Sequence, residues 1–153
     1  MKKKILIHSN YCKAFTGFGK SKANLLKYLY RTGKYDIVEI ANAKRFSEDS
    51  TKILPWKCYG GLPDDEDELH KARQNPTSAR DASYGALVID KIVELEKPDI
   101  YLGIEDVWAF SGYHGKPWWN QVNCIIHTTL DSLPLIKESI DIASKTKNYF
   151  VWA

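Results

Sequence analysis

Apolar residues along this chain fall into short unbroken runs, separated by stretches in which they recur at helical spacing. Lys4-Ile5-Leu6-Ile7-His8 is the first run, and it predicts a buried parallel strand. From Ser21 the apolar positions are Leu25, Leu26 and Leu29 with Tyr28 beside them, which predicts a helix ending near Arg31-Thr32-Gly33. Tyr35 to Ala41 reads as a second strand, and the strand-helix-strand spacing predicts a parallel, right-handed crossover. A short third strand is expected within Ile53 to Tyr59, and Pro55 puts it at an edge or a strand start. Gly60-Gly61-Leu62-Pro63 reads as a turn, and the acidic run Asp64 to Glu68 as a solvated loop or helix start. Thr77 or Ser78 is the expected cap of a helix with the buried stripe Tyr84, Leu87, Val88, Ile92 and Leu95, ended by Pro98. Gly85 inside that helix implies close packing. Pro98 to Ile104 enters a central strand ending in Glu105-Asp106, and Val122 to His127 is a further buried strand. A helix from about Leu135 to Ala143 and a strand from Tyr149 complete the pattern. The whole predicts an α/β domain with an open, mostly parallel sheet and helices on both faces.

Composition changes this picture in one respect. The chain has 153 residues, 44% hydrophobic, which is ordinary for one domain with a real core. Its net charge is +3, yet no Asp or Glu precedes Asp36 while nine Lys or Arg do. The remainder carries thirteen basic and nineteen acidic groups, so it is net −6. A basic start of this kind suits a phosphate-bearing ligand. It does not make a nucleic-acid surface, because it mixes with a buried strand and no basic stripe continues it. Cys12, Cys58 and Cys124 are far apart and form no CxxC pair, so neither a zinc site nor a disulfide framework is indicated, and a reduced cytoplasmic setting is expected. No run is long enough to span a membrane. A last strand flush with the terminus, with no helix after it, is expected of a chain cut short.

Candidate chemistry gathers at the predicted carboxyl ends of the strands, where open α/β sheets bind ligands. Thr16-Gly17-Phe18-Gly19-Lys20-Ser21 lies between the first strand and its helix. The glycines allow a tight turn and close approach to a ligand, and free N–H groups at a helix start suit an anion. Lys20 and Lys22 have no acidic neighbour in sequence and oppose the helix dipole, a cost that a bound anion would reverse. A plain turn with exposed lysines is the other reading. Glu105 and Asp106 are adjacent, so in extended chain they point in opposite directions and one faces the cleft. That one accepts a proton from a ligand hydroxyl, hydrogen-bonds a ligand, or caps a turn. His8 and His127 sit at strand ends, as ligand contacts or as hydrogen-bonded packing residues. Asn10 binds ligand or caps the turn. Trp108, Trp118 and Trp119 offer stacking surfaces or core, and the Trp118-Trp119 pair reads as a docking surface on a loop.

Taken in order, these pieces resemble the amino-terminal half of a two-Rossmann-domain (GT-B) glycosyltransferase that uses nucleotide-diphosphate sugars. Four stretches carry the likeness: Lys4 to Asn10 with Thr16-Gly17-Phe18-Gly19 and the helix Ser21 to Tyr30; Glu96-Lys97-Pro98-Asp99-Ile100-Tyr101; Glu105-Asp106-Val107-Trp108; and Ile125-Ile126-His127 with Asp131-Ser132-Leu133-Pro134. Residues 42 to 76 match poorly. The resemblance implies a Rossmann-like fold and transfer of a sugar to an acceptor hydroxyl. It implies donor-phosphate contacts at Gly17, Phe18, Gly19 and Lys20, catalytic residues among Glu105, Asp106 and His127, and acceptor contacts at Asn10, Trp108 and Asp131. It implies no metal and no cofactor. The partners are a nucleotide-diphosphate sugar, a glycan or lipid-linked acceptor with peripheral membrane contact, and a carboxyl-terminal domain that grips the nucleotide. Without that domain the half does not turn over substrate.

Two other classes compete. Gly19-Lys20-Ser21 matches the end of a P-loop, but the glycine required five positions earlier is Ala14. Tight binding of ATP with magnesium would mark that class. A non-enzymatic flavodoxin-like binding module would act as a complete unit. A plain Rossmann dehydrogenase fits less well, since Lys22 stands where the third glycine of the fingerprint belongs.

Overall fold

The apolar runs pair into one sheet. In the computed structural model, which describes residues 1–129 and 133–152, six strands lie in the order β3-β2-β1-β4-β5-β6, and every neighbouring pair is parallel. They are β1 (Lys3–Asn10), β2 (Tyr35–Arg45), β3 (Lys57–Leu62), β4 (Ile100–Ile104), β5 (Asn123–Thr129) and β6 (Asn148–Trp152). This is a Rossmann-like arrangement, and the order reverses between β1 and β4. The helices are α1 (Gly17–Thr32), α2 (Glu66–Arg73), α3 (Pro76–Ser83), α4 (Ile89–Glu96) and α5 (Lys137–Ser144). Alternation along the strands divides the core. Ile5, Ile7, Ile37 and Ile104 meet Leu26 of α1 on one face. Leu6, Val38, Ile40, Tyr101 and Ile126 meet Ile89, Ile92 and Val93 of α4 and Ile142 of α5 on the other. Among the described residues no helix is long and apolar enough to cross a membrane.

Three local expectations are corrected. The glycines at 60 and 61 do not turn; they lie inside β3, the edge strand. The register of β2 on β3 shifts between Ala41 and Arg45, where Ala43 takes φ 63°, and the β2 backbone crowds β3. A Cβ on Gly60 would stand 1.9 Å from the Arg45 carbonyl oxygen, so only glycine fits. The single helix expected from Thr77 to Lys97 is two. Asn75, not Thr77 or Ser78, caps α3 with Pro76 in its first turn, and Gly85 at φ 85° breaks the chain before α4. The buried stripe of α4 is therefore Ile89, Ile92, Val93 and Glu96, while Leu87 and Leu95 face outward. Finally, Trp118 and Trp119 are no docking pair. Both are buried beside Tyr101, and their indole N–H groups donate to Asp90 and to the Lys145 carbonyl. In that position they cover the second face where two short 3-10 helices, rather than an α-helix, join β4 to β5.

Beneath the amino end of the sheet, Glu96 ties three elements together. It accepts from Lys4 of β1 (2.9 Å) and from Lys57 and Tyr59 of β3 (2.8 and 2.5 Å). Burial works to raise its pKa, but the bonds from Lys57, Tyr59 and Lys4 outweigh it and hold it at about 2.

Candidate functional site

The strand order reverses between β1 and β4, the position at which open α/β sheets bind ligands beyond the carboxyl ends of their strands. Thr16 caps α1: its hydroxyl accepts from the Gly19 N–H at 3.0 Å, and its carbonyl accepts from Lys20. No acidic residue occupies the first turn, Gly17 and Lys20 are exposed, and Phe18 is half-buried. Gly17 and Phe18 thus begin the helix at an open corner, where the helix dipole favours negative charge. Gly19 is buried, and a Cβ there would stand 2.7 Å from the Ala14 carbonyl oxygen.

Lys22 plays no part in that corner. It is fully buried, donates to the carbonyls of Ser9 and Ile40, and pairs at 2.8 Å with Glu39, which is equally buried. The acid missing from its sequence neighbourhood comes from β2. Glu39 also accepts from the Cys12 N–H and the Trp56 indole. Burial works to raise the Glu39 pKa, and these partners, Lys22 foremost, hold it below the ordinary value. A pair saturated in this way fastens α1 to the sheet. Cys12 beside it is no nucleophile, since burial pushes its thiol up to about 12.

Glu105 stands where β4 ends and is 2% exposed. Its Oε1 accepts from the Asn10 N–H at 2.8 Å and from the Ser9 hydroxyl and Asn42 side chain at 3.2 Å. Its Oε2 takes no hydrogen bond from a described residue. Burial raises its pKa against those three bonds, and the neighbouring Asp106 charge adds to the rise. Asn10 joins this carboxylate to the helix corner, because its side chain donates to the Thr16 hydroxyl at 3.1 Å. Asp106 turns the other way, as adjacent extended residues must, and accepts from Thr129 of β5 at 2.6 Å.

His127 is half-buried on the α1 face of β5, edge-on to Phe150, and burial lowers its pKa. Trp108 meets Tyr84 edge to face, with ring centres 5.1 Å apart. Asp131 lies outside the described residues. Tyr84 itself escapes sequence reading, which assigns it to a helix stripe. Burial first, then the carboxylates of Glu105 and Asp106, push its phenol up, which places it within their electrostatic reach. Asn42 is missed as well. It lies in the stretch with the poorest pattern, and only the pairing of Asn10 with Asn42 across β1 and β2 brings it to the site.

The arrangement offers an anion corner and a buried carboxylate with one open oxygen, held apart by Asn10 and Thr16. No protein-family model matches the chain, and no curated protein matches it.

Proposed function

We propose that this chain is the acceptor-side half of a two-domain glycosyltransferase working in the cytoplasm on a nucleotide-diphosphate sugar. One observation carries the reading. At the β1/β4 reversal, Asn10 links the Thr16 cap of α1 to the Glu105 carboxylate, so an anion site and a hydroxyl acceptor share one crevice. Negative charge building on the leaving diphosphate meets the Gly17 and Phe18 N–H groups and Lys20. Glu105 accepts the hydrogen of a sugar hydroxyl through Oε2, and its raised pKa suits it to hold a proton in passing. Asp106, with Thr129, and the Tyr84–Trp108 pair line the acceptor side, and His127 is the more remote contributor. A carboxyl-terminal domain supplies the rest of the donor grip, so the half alone binds donor weakly and does not turn it over.

The test is a titration of the isotope-labelled chain with UDP-glucose, inorganic pyrophosphate and magnesium-ATP, following backbone amides. Both of the first two ligands are expected to shift Gly17, Phe18 and Lys20. Gly17→Asp is the discriminating variant. A side chain there meets nothing within 4 Å, and an acid at a helix start stabilises it by about 0.3–1 kcal/mol, yet it repels phosphate. Binding should weaken about tenfold or more with the melting temperature held or raised. Shifts with neither ligand, or shifts indifferent to Gly17→Asp, overturn the proposal. Shifts with pyrophosphate alone remove the sugar-transfer reading, and much tighter binding of magnesium-ATP replaces it with a P-loop-type nucleotide site.

A further inference from the structure

Behind Glu105 runs a chain of buried side chains whose hydrogen bonds all point one way. An ionised carboxylate only accepts, so the Asn42 atom 3.2 Å from Glu105 Oε1 is the Nδ2 donor. That leaves Asn42 Oδ1 facing His8 Nε2 at 2.8 Å, so Nε2 carries the proton. His8 Nδ1 then accepts from the Tyr101 hydroxyl, also at 2.8 Å. The order is Tyr101 to His8 to Asn42 to Glu105. The imidazole has no room to turn: Tyr101, Phe110 and Tyr113 surround it, and a Cβ on Gly85 would stand 2.9 Å from its Cε1. The left-handed φ of Gly85, which breaks the helix between α3 and α4, is what lets the chain close on His8. Every fully buried polar side-chain atom of this network has a partner. Glu105 Oε1 is saturated, while Oε2 lies outside that buried set and takes no hydrogen bond from a described residue.

We infer that His8 and Asn42 are positioning residues for Glu105, a fixed relay that occupies one carboxylate oxygen and presents the other to a ligand hydroxyl. What the hydroxyl belongs to rests on the function proposed above; the relay itself does not, and it is tested without ligand. The charged and titratable groups around it are Asp106 beside Glu105, Tyr84 from the α3–α4 link, Tyr101 of β4, Tyr113 from the β4–β5 link and Lys22 of α1.

Two measurements decide it. Nitrogen chemical shifts of His8 in the wild-type chain should show the neutral Nε2–H tautomer from about pH 8 to about pH 5. A His8 that is Nδ1-protonated, or that titrates near its ordinary value, overturns the relay. The second follows the Glu105 carboxyl carbon against pH in Asn42→Leu. Losing that donor should lower the ratio of ionised to protonated Glu105 at fixed pH by about tenfold. Ile126→Val, which thins the same core away from the relay, should leave the ratio unchanged. An Asn42→Leu chain that folds with the wild-type Glu105 ratio overturns the inference. If that variant does not fold, the His8 tautomer alone decides between the relay and its absence.

Discussion

At the scale of residues, burial assigns different work to groups of the same type. Lys20 and Lys22 stand two positions apart, yet one lies in solvent and the other holds Glu39 inside the domain. Likewise His8 is fully buried and neutral. Burial pushes its pKa down to about 3, the Asn42 bond works against that fall, and Lys22 adds to it. Because the folded value lies below the unfolded one, the unfolded chain takes up the proton first as pH drops. Stability is therefore full above the unfolded value of about 6.5 and declines as pH falls toward about 3. Urea unfolding should show a loss of about 2 kcal/mol between pH 7 and pH 5 from His8, with His127 adding in the same direction and Glu105, whose value folding raises, working against it. A wild-type profile that matches a His8→Gln chain across that window would mean that His8 reaches water.

At the scale of elements, caps and close approaches set the boundaries. Helix α1 starts on the Thr16 hydroxyl and stops at Gly33, which takes φ 62°. The β2–β3 pair depends instead on the missing side chain of Gly60. Gly60→Ala should cost about 3 kcal/mol or more in chemical unfolding, since the clash is with backbone that cannot swing away. Gly17→Ala, with open space around it, should change stability by less than about 0.5 kcal/mol. Equal effects from the two substitutions would remove the reason given for the glycine in β3.

At the scale of the whole molecule, β6 closes one side of the sheet as an edge strand, with Phe150 and Val151 exposed and Ile140 of α5 exposed nearby in sequence. Such an edge invites pairing between chains. The chain should therefore associate with rising concentration in sedimentation velocity, and Phe150→Lys should reduce that association; a chain that stays monomeric, or a profile the substitution leaves unchanged, would remove this reading. Periodicity alone marked five of the six strands, α1, α5 and a mostly parallel α/β class, because burial on both faces writes an apolar run whatever the partners are; the edge strand β3 it set too early, across Ile53 to Tyr59. It also marked Asn10, Gly17 and Glu105 as strand-end or helix-start residues, since the ends of apolar runs are visible without a fold. Pairing decided the rest. Which strand lies beside which, the reversal at β1 and β4, the Lys22–Glu39 pair and the path from Tyr101 to Glu105 all join residues far apart in the chain. A one-dimensional pattern records where apolar residues gather, but not what they are buried against.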